Sequence, residues 1–240
     1  MEMKFDIIEF GEVTSTNDIA SSGNYPHGTV VTARMQTRGR GQRGSNWESA
    51  PGENLLFSLV IRPSHIPAAH QFLISMAGAL AASDALKEVG LDCMVKWPND
   101  LYVGDRKIGG ILIEHWLEGE KLSESVIGIG INVRQRQFDL SLPNPTSVAL
   151  ETGNSDHSPG YILKMFCQAF EARYAQPADS LHCDYMSRLW RGTGLHFFRD
   201  RQGLEFRASI AEIDPFGGIM TLRLEDGSAR DFLFKEVEFV

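Results

Sequence analysis

The sequence predicts an α+β fold, with a long mixed unit of strands and helices followed by a small unit of strands alone. Three observations support this. β-Branched residues recur between turn signals from Met94 to Val133, as in a meander. Helical patterns run from near Pro67 to near Gly90 and again between Ser158 and Trp190. After Gly192, short β-type segments alternate with turn clusters at Arg201-Gln202-Gly203, Asp214-Pro215-Phe216-Gly217-Gly218 and Glu225-Asp226-Gly227. That texture fits a separate β-barrel of about 50 residues.

Lys4–Phe10 alternates as a strand, and Ser15-Thr16-Asn17-Asp18 offers capping side chains to a short helix through Ala20. Thr29–Gln36 is rich in β-formers and ends in a glycine loop; Asn54–Arg62 is another strand. The amphipathic helix that follows starts near Pro67, whose ring suits a first helical position, and stops near Gly90. Met94–Trp97, Asp100–Val103, Lys107–Trp116 and Glu124–Val133 make up the meander, turning at Gly104-Asp105 and Glu118-Gly119. Ser158-Pro159 opens a helix to about Tyr174 and a further helix covers Ser180–Trp190. The connection at Leu189–Gly194 is short, so the two units, 1–190 and 191–240, should pack together.

With 240 residues the chain can hold one large domain and a small appendage. It lacks an apolar run of about 18 residues, and its N-terminus MEMKFDIIEFGEV does not read as a signal peptide, so no membrane association and a cytoplasmic location are expected. Cys93, Cys167 and Cys183 are odd in number and form no CxxC pair, which points to reduced thiols and to neither a disulfide framework nor a metal site.

The formal net charge is −8, yet Arg38, Arg40, Arg43, Lys96, Arg106 and Lys107 fall into two short glycine-punctuated stretches, Gln36–Trp47 and Lys96–Gly110. An acidic protein that concentrates cations this way is equipped to hold a small anion, and it lacks the broad basic surface that nucleic acid requires. Gly39-Arg40-Gly41-Gln42-Arg43-Gly44 matches GxGxxG, but the following Ser45-Asn46-Trp47-Glu48-Ser49-Ala50-Pro51-Gly52 is turn material. A dinucleotide fold needs a helix there. The loop instead offers flexible backbone amides, guanidinium forks for phosphate oxygens and one aromatic face for a purine. In the second stretch, Pro98 biases Trp97 toward extended backbone, so that Lys96 and Asp100 flank a bend. Lys107 precedes Gly109-Gly110, where a ligand can approach the main chain.

Taken in order, STND at Ser15–Asp18, QTRGRGQRGSNWES at Gln36–Ser49, KWPNDLYVGDRKIGGILIE at Lys96–Glu114, GIGINV at Gly128–Val133 and TSVALETG at Thr146–Gly153 resemble the biotin protein ligases. The resemblance implies a class II aminoacyl-tRNA synthetase-like catalytic domain, a mixed sheet with helices on one side, followed by a small SH3-like β-barrel. It also implies biotin, ATP and Mg²⁺ as ligands and a biotin carboxyl carrier protein as the partner that supplies the acceptor lysine. By the same resemblance, Ser15, Thr16 and Asn17 contact the ureido ring, and Gln36 with Arg40, Gly41 and Gln42 closes over the ligand. Gly128 and Gly130 line the biotin pocket, and Lys107 meets the biotin carboxyl and the α-phosphate. Trp47, Asn132, Lys96, Asn99 and Arg43 fall on the nucleotide side. Some members have arginine at the position of Gln42, so whether Gln42 or Arg43 meets phosphate stays open. Members that also repress transcription carry a winged helix ahead of this region; no helix-turn-helix pattern precedes Ser15, so a ligase without DNA binding is expected.

The chemistry explains the residue types. A carboxylate needs activation as an acyl-adenylate before a lysine can take it. The oxyanion must then attack an α-phosphate that is already negative, so fixed cations are required. Lys107 and Arg40, with Arg43, are the candidates, and Mg²⁺ neutralises the departing pyrophosphate. Asp100 either accepts a proton from the incoming lysine or orients Lys96 and a metal-bound water. Arg38–Asn46 should be mobile until ligand binds and then exclude water. The rival readings are a lipoate–protein ligase, a non-catalytic sensor of biotin or its adenylate, and a nucleic-acid module built on the arginine loop. The sequence leaves open whether the chain is a monomer or a homodimer.

Overall fold

The computed structural model describes residues 3–240, apart from the side chain of Arg43. Its larger sheet has seven strands, β1 (Asp6–Val13), β2 (Thr29–Gln36), β3 (Leu55–Ile61), β4 (Met94–Lys96), β5 (Asp100–Val103), β6 (Arg106–Glu118) and β7 (Lys121–Ile131), in the order β1-β2-β3-β7-β6-β5-β4. β1 and β2 pair in parallel and the other neighbours are antiparallel, so the sheet is mixed. Strands β4 to β7 form the expected meander.

The helices are α1 (Thr16–Ser22), α2 (Phe72–Lys87), α3 (Val148–Thr152), α4 (Pro159–Tyr174) and α5 (Ala178–Ser187). Alternate residues of β3 explain their placement. Leu55, Phe57, Leu59 and Ile61 join the core beneath α2 and α4, where Phe57 meets Phe166 edge-on with ring centroids 4.8 Å apart. Val60 faces the other way and packs with Val31, Val126 and Ala20 of α1. The expectation of helices on one side therefore holds for α2, α4 and α5, while α1 lies across the opposite face. Helix α2 also differs from its expected amphipathic form: twelve of its sixteen residues are buried. Its alanine-rich surface is covered by the sheet, α4 and α5 together, which leaves little of it to solvent. Helix α3 was not expected from its periodicity; Ser147 caps it by accepting Leu150 N at 3.2 Å, and Gly153 ends it in left-handed backbone.

A second, antiparallel sheet holds β8 (His196–Asp200), β9 (Glu205–Ile213), β10 (Met220–Leu224), β11 (Ala229–Phe232) and β12 (Val237–Phe239), in the order β11-β10-β9-β8-β12. Its apolar side, including Phe198, Ile210 and Leu222, is continuous with the main core. The turn after β9 fastens it: Phe216 O accepts Phe72 N at 3.0 Å, Gly218 O accepts Trp97 Nε1 at 2.9 Å, and the Phe216 ring stacks on His70 at 4.1 Å. The short link thus joins units that do pack together.

Gly218 has φ +74, and a Cβ there would overlap the ring of Phe72. Gly218→Ala should cost about 2 kcal/mol, combining left-handed strain with a displaced core ring, and lower the thermal midpoint by roughly 5 °C by circular dichroism.

Candidate functional site

A cavity of about 740 Å³ opens on the α1 face of the large sheet. It brings together Ser15, Thr16, Asn17, Gln36, Arg40, Gly41, Gln42, Trp47, Lys96, Asn99, Asp100, Lys107, Gly128 and Gly130, residues that the sequence placed in separate motifs. The two cationic stretches therefore converge. Arg43 belongs to a 3-10 turn, Gln42–Gly44, but its side chain lies outside what the structure describes, so the expectation for it stands outside the described residues.

The floor is bare backbone. Gly110 on β6 pairs directly with Gly130 on β7, and Leu112 pairs with Gly128. A Cβ at Gly128 would overlap the side-chain oxygen of Asn17, and one at Gly130 would lie 2.5 Å from the Trp47 indole. The glycine loop thus returns Trp47 over the floor, held by Trp47 N donating to Gly39 O at 2.9 Å and Gly41 N donating to Ser45 O at 2.7 Å. Two buried polar atoms of this loop, Gln42 Oε1 and Trp47 Nε1, have no protein partner among the described residues. Each costs about 1–3 kcal/mol unless a ligand supplies the missing acceptor or donor.

Hydrogen bonds hold the α1 end of the cavity. Ser15 occupies the N-cap position of α1 without a side-chain cap bond, so its hydroxyl is not engaged in the capping that the sequence offered. Gln36 Oε1 accepts Thr16 N at 2.7 Å and Thr16 Oγ1 at 3.0 Å. Asn17 is fixed from three sides: Nδ2 donates to Leu112 O and to Glu114 Oε2, and Oδ1 accepts from the fully buried Ser58 at 2.6 Å. Ser58 and Glu114 went unrecognised in the sequence. Only the strand order that sets β3 and β6 beside α1 reveals them.

The cations are already partnered. Lys107 Nζ sits 2.7 Å from Asp100 Oδ1 and 5.9 Å from the centre of the Trp47 ring system. Asp100 therefore pairs directly with Lys107, while its charge also acts on Lys96. Lys96 Nζ lies 3.2 Å from Tyr102 Oη and is surrounded by the rings of Tyr102, Trp190 and Phe239 at 4.9, 4.9 and 5.7 Å. Burial, only partly opposed by Asp100 and reinforced by Lys107 and Arg191, moves its pKa down. Arg40, expected at the phosphate, instead points at two carboxylates: it makes a forked pair with Glu114 and reaches Asp18 at 2.8 Å. Desolvation works against its charge, but these hydrogen bonds and charges prevail and raise its pKa.

Asn132 is not among the cavity-lining residues. Its Nδ2 donates to Thr146 O at 2.9 Å, which helps to hold the segment whose Asn144 O accepts Lys107 N at 2.8 Å and whose Thr146 N donates to Lys107 O at 2.9 Å. The residue expected at the adenylate thus acts at one remove, on the backbone of Lys107. The second sheet supplies a further wall, including Arg199, Arg201, Lys235 and Phe239. No local pattern marks these residues, because docking alone brings them there.

Compared with known proteins, residues 9–132 match the model of the biotin/lipoate A/B protein ligase family. The chain is 37% identical over 179 residues to the bifunctional ligase/repressor BirA of Escherichia coli K12, covering 73% of this chain and 56% of that protein. It is 35% identical over 156 residues to a biotin–[acetyl-CoA-carboxylase] ligase of Paracoccus denitrificans, covering 61% of this chain and 62% of the relative. The chain spans about half the length of the BirA relatives that it matches. Its fold is that of the Aquifex aeolicus biotin protein ligase solved with biotin and ATP, with a TM-score of 0.81 at 24% identity over 98% of both chains.

A smaller cavity of about 340 Å³ adjoins the first, sharing Gln42, Trp97, Asn99 and Phe234, and includes His115. Burial pushes the His115 pKa from 6.5 down to about 4, and Ser125 Oγ lies 2.8 Å from its Nδ1. The unfolded chain then binds a proton that the folded one refuses. The stability that comes from a neutral His115 is complete above pH 6.5 and is lost as the pH falls toward about 4. Urea unfolding against pH should show His115→Gln losing less stability than the wild type across that window.

Proposed function

The chain belongs to the biotin/lipoate A/B protein ligase family, and from that footing we propose that it is a biotin protein ligase, which activates biotin with ATP to biotinyl-5′-AMP and transfers it to a lysine of a biotin carboxyl carrier protein. One observation carries this reading: a single cavity joins the glycine loop, the KWPND bend and the glycine floor of β6 and β7. Aquifex and Helicobacter pylori proteins of the same fold are described with biotin and ATP or biotinylated ATP. The region around Ser15, Thr16, Asn17 and Gln36 takes the ureido ring, and Gly128 and Gly130 line the floor of the pocket beneath Asn17 and Trp47. Gly41 and Gln42 cover it.

Lys107 then lies beside the biotin carboxylate and the α-phosphate. Asp100 holds its ammonium in place beforehand, so little reorganisation is needed when the oxyanion attacks phosphorus and pyrophosphate leaves. In the second step the acceptor amine forms the amide as the acyl–phosphate bond breaks and AMP departs. Asp100, exchanging Lys107 for the incoming ammonium, receives that proton. Trp47, Asn99 and Lys96 form the nucleotide side. Mg²⁺ would enter with ATP as part of the substrate and would offset the charge of the departing pyrophosphate.

We read the molecule as a class II synthetase-like catalytic unit, 1–190, and an SH3-like barrel, 191–240, whose five antiparallel strands support that description. No helix of the described residues is long and apolar enough to cross a membrane. With a net charge of −8, DNA binding at low salt should be absent.

Biotin-dependent ATP–pyrophosphate exchange tests the activity. The wild type should exchange with biotin, and Lys107→Ala should be slowed about a hundredfold, the usual effect of deleting one oxyanion-stabilising contact. Exchange supported by lipoate and not by biotin would transfer the chain to the other branch of its family.

A further inference from the structure

Glu114 joins two parts of the cavity with one carboxylate. Arg40 Nη1 donates to Oε1 at 3.0 Å and Nη2 to Oε2 at 2.8 Å, while the same Oε2 accepts Asn17 Nδ2 at 2.9 Å. Arg40 belongs to the glycine loop, whose own backbone bonds between residues 39 and 47 are internal to it. Asn17 belongs to α1. Its amide hydrogens go to Leu112 O and Glu114, and its oxygen receives Ser58. Asn17 therefore cannot turn without altering the hold on Glu114, and Glu114 cannot swing toward solvent without releasing Arg40. Asp18 adds a second carboxylate to Arg40, at 2.8 Å, but no hydrogen bond links it to Asn17.

We propose that Glu114 is the latch of the glycine loop, a positioning residue that fastens Arg40 across the cavity and couples loop closure to the seating of the ligand's head against Asn17. This rests on the ligase reading above. An acyl-adenylate can go two ways. The lysine amine attacks the acyl carbon, forms the amide and expels AMP with loss of a proton; water attacks the same carbon and gives biotin and AMP. A closed loop admits the first and excludes the second. Glu114 thus governs how much of the adenylate reaches the acceptor, although it touches no reacting atom.

The test uses the full chain and two readouts. One is tryptic cleavage after Arg38, a bond that every variant keeps. The other is AMP released per biotin transferred to a carrier domain. Glu114→Gln, similar in shape and lacking the charge, should raise both about tenfold, as befits the loss of a half-exposed forked ion pair. In an Arg40→Ala background Glu114→Gln should add nothing to the cleavage rate, because the two act as one unit. Should Glu114→Gln fail to fold by circular dichroism, Glu114→Asp, one methylene too short to hold Arg40 and Asn17 together, is expected to change both readouts in the same direction. Wild-type values for both readouts in the folded variant, or a full additional effect without Arg40, would overturn the latch. A wild-type chain that makes no adenylate would remove the ligase reading, while the cleavage measurements would still decide for or against the latch.

Discussion

Everything in the site is arranged around bare main chain at the centre of the large sheet. Gly110 and Gly130 face each other across β6 and β7, with Gly128 one pleat further along. On the opposite face of the same strands, Ile127, Ile129 and Ile131 are sealed under α2 and its neighbours, so the strands cannot shift to make room. Room above the strands must come from missing side chains. Into that space reach Asn17 from α1 and Trp47 from the glycine loop, each close enough that a methyl group beneath it would collide.

The second constraint is charge. In this acidic protein three cations of the cavity are each restrained by a different device. Lys107 is held by Asp100, Arg40 by Glu114 and Asp18, and Lys96 by three aromatic rings, one of which is the phenol of Tyr102. These restraints hold the three cations in set positions. They also differentiate the cations. Lys107 is paired with Asp100 within the cavity, whereas Arg40 is held by carboxylates from two elements.

Much of this was legible in the chain, for a physical reason. Glycine loops, the Trp97-Pro98 bend and hairpin turns are local, dictated by residues a few positions apart, so the meander and both cationic stretches appear in the sequence nearly where the structure has them. Residues whose roles depend on strand order were not legible. Ser58 is one serine in a buried strand until β3 is known to run beside β7 under α1. Glu114 reads as an exposed strand charge until α1 and the loop meet above it. Asn132 sits in a motif that implied ligand contact, yet the segment at 144–146 folds across β6 and takes its amide. Helix α2 read as amphipathic because no periodicity reveals that three neighbours will cover it.

The same logic gives the second sheet its place. A β-unit of this size buries too little apolar surface to hold a fixed orientation unless it shares a core, and Phe198, Ile210 and Leu222 are continuous with the core of the larger unit. The turn at Asp214–Gly218 then locks its angle through Phe72 N and Trp97 Nε1. Trp97 adjoins Lys96, and Phe239 from the far strand packs over the Lys96 ammonium. The KWPND bend is therefore fixed from both sides, by the large sheet and by the small one. A passive lid would need contact only at its rim. This unit instead forms part of the cavity wall and packs over one of its cations, so its docking and the geometry of the cavity are a single structural fact.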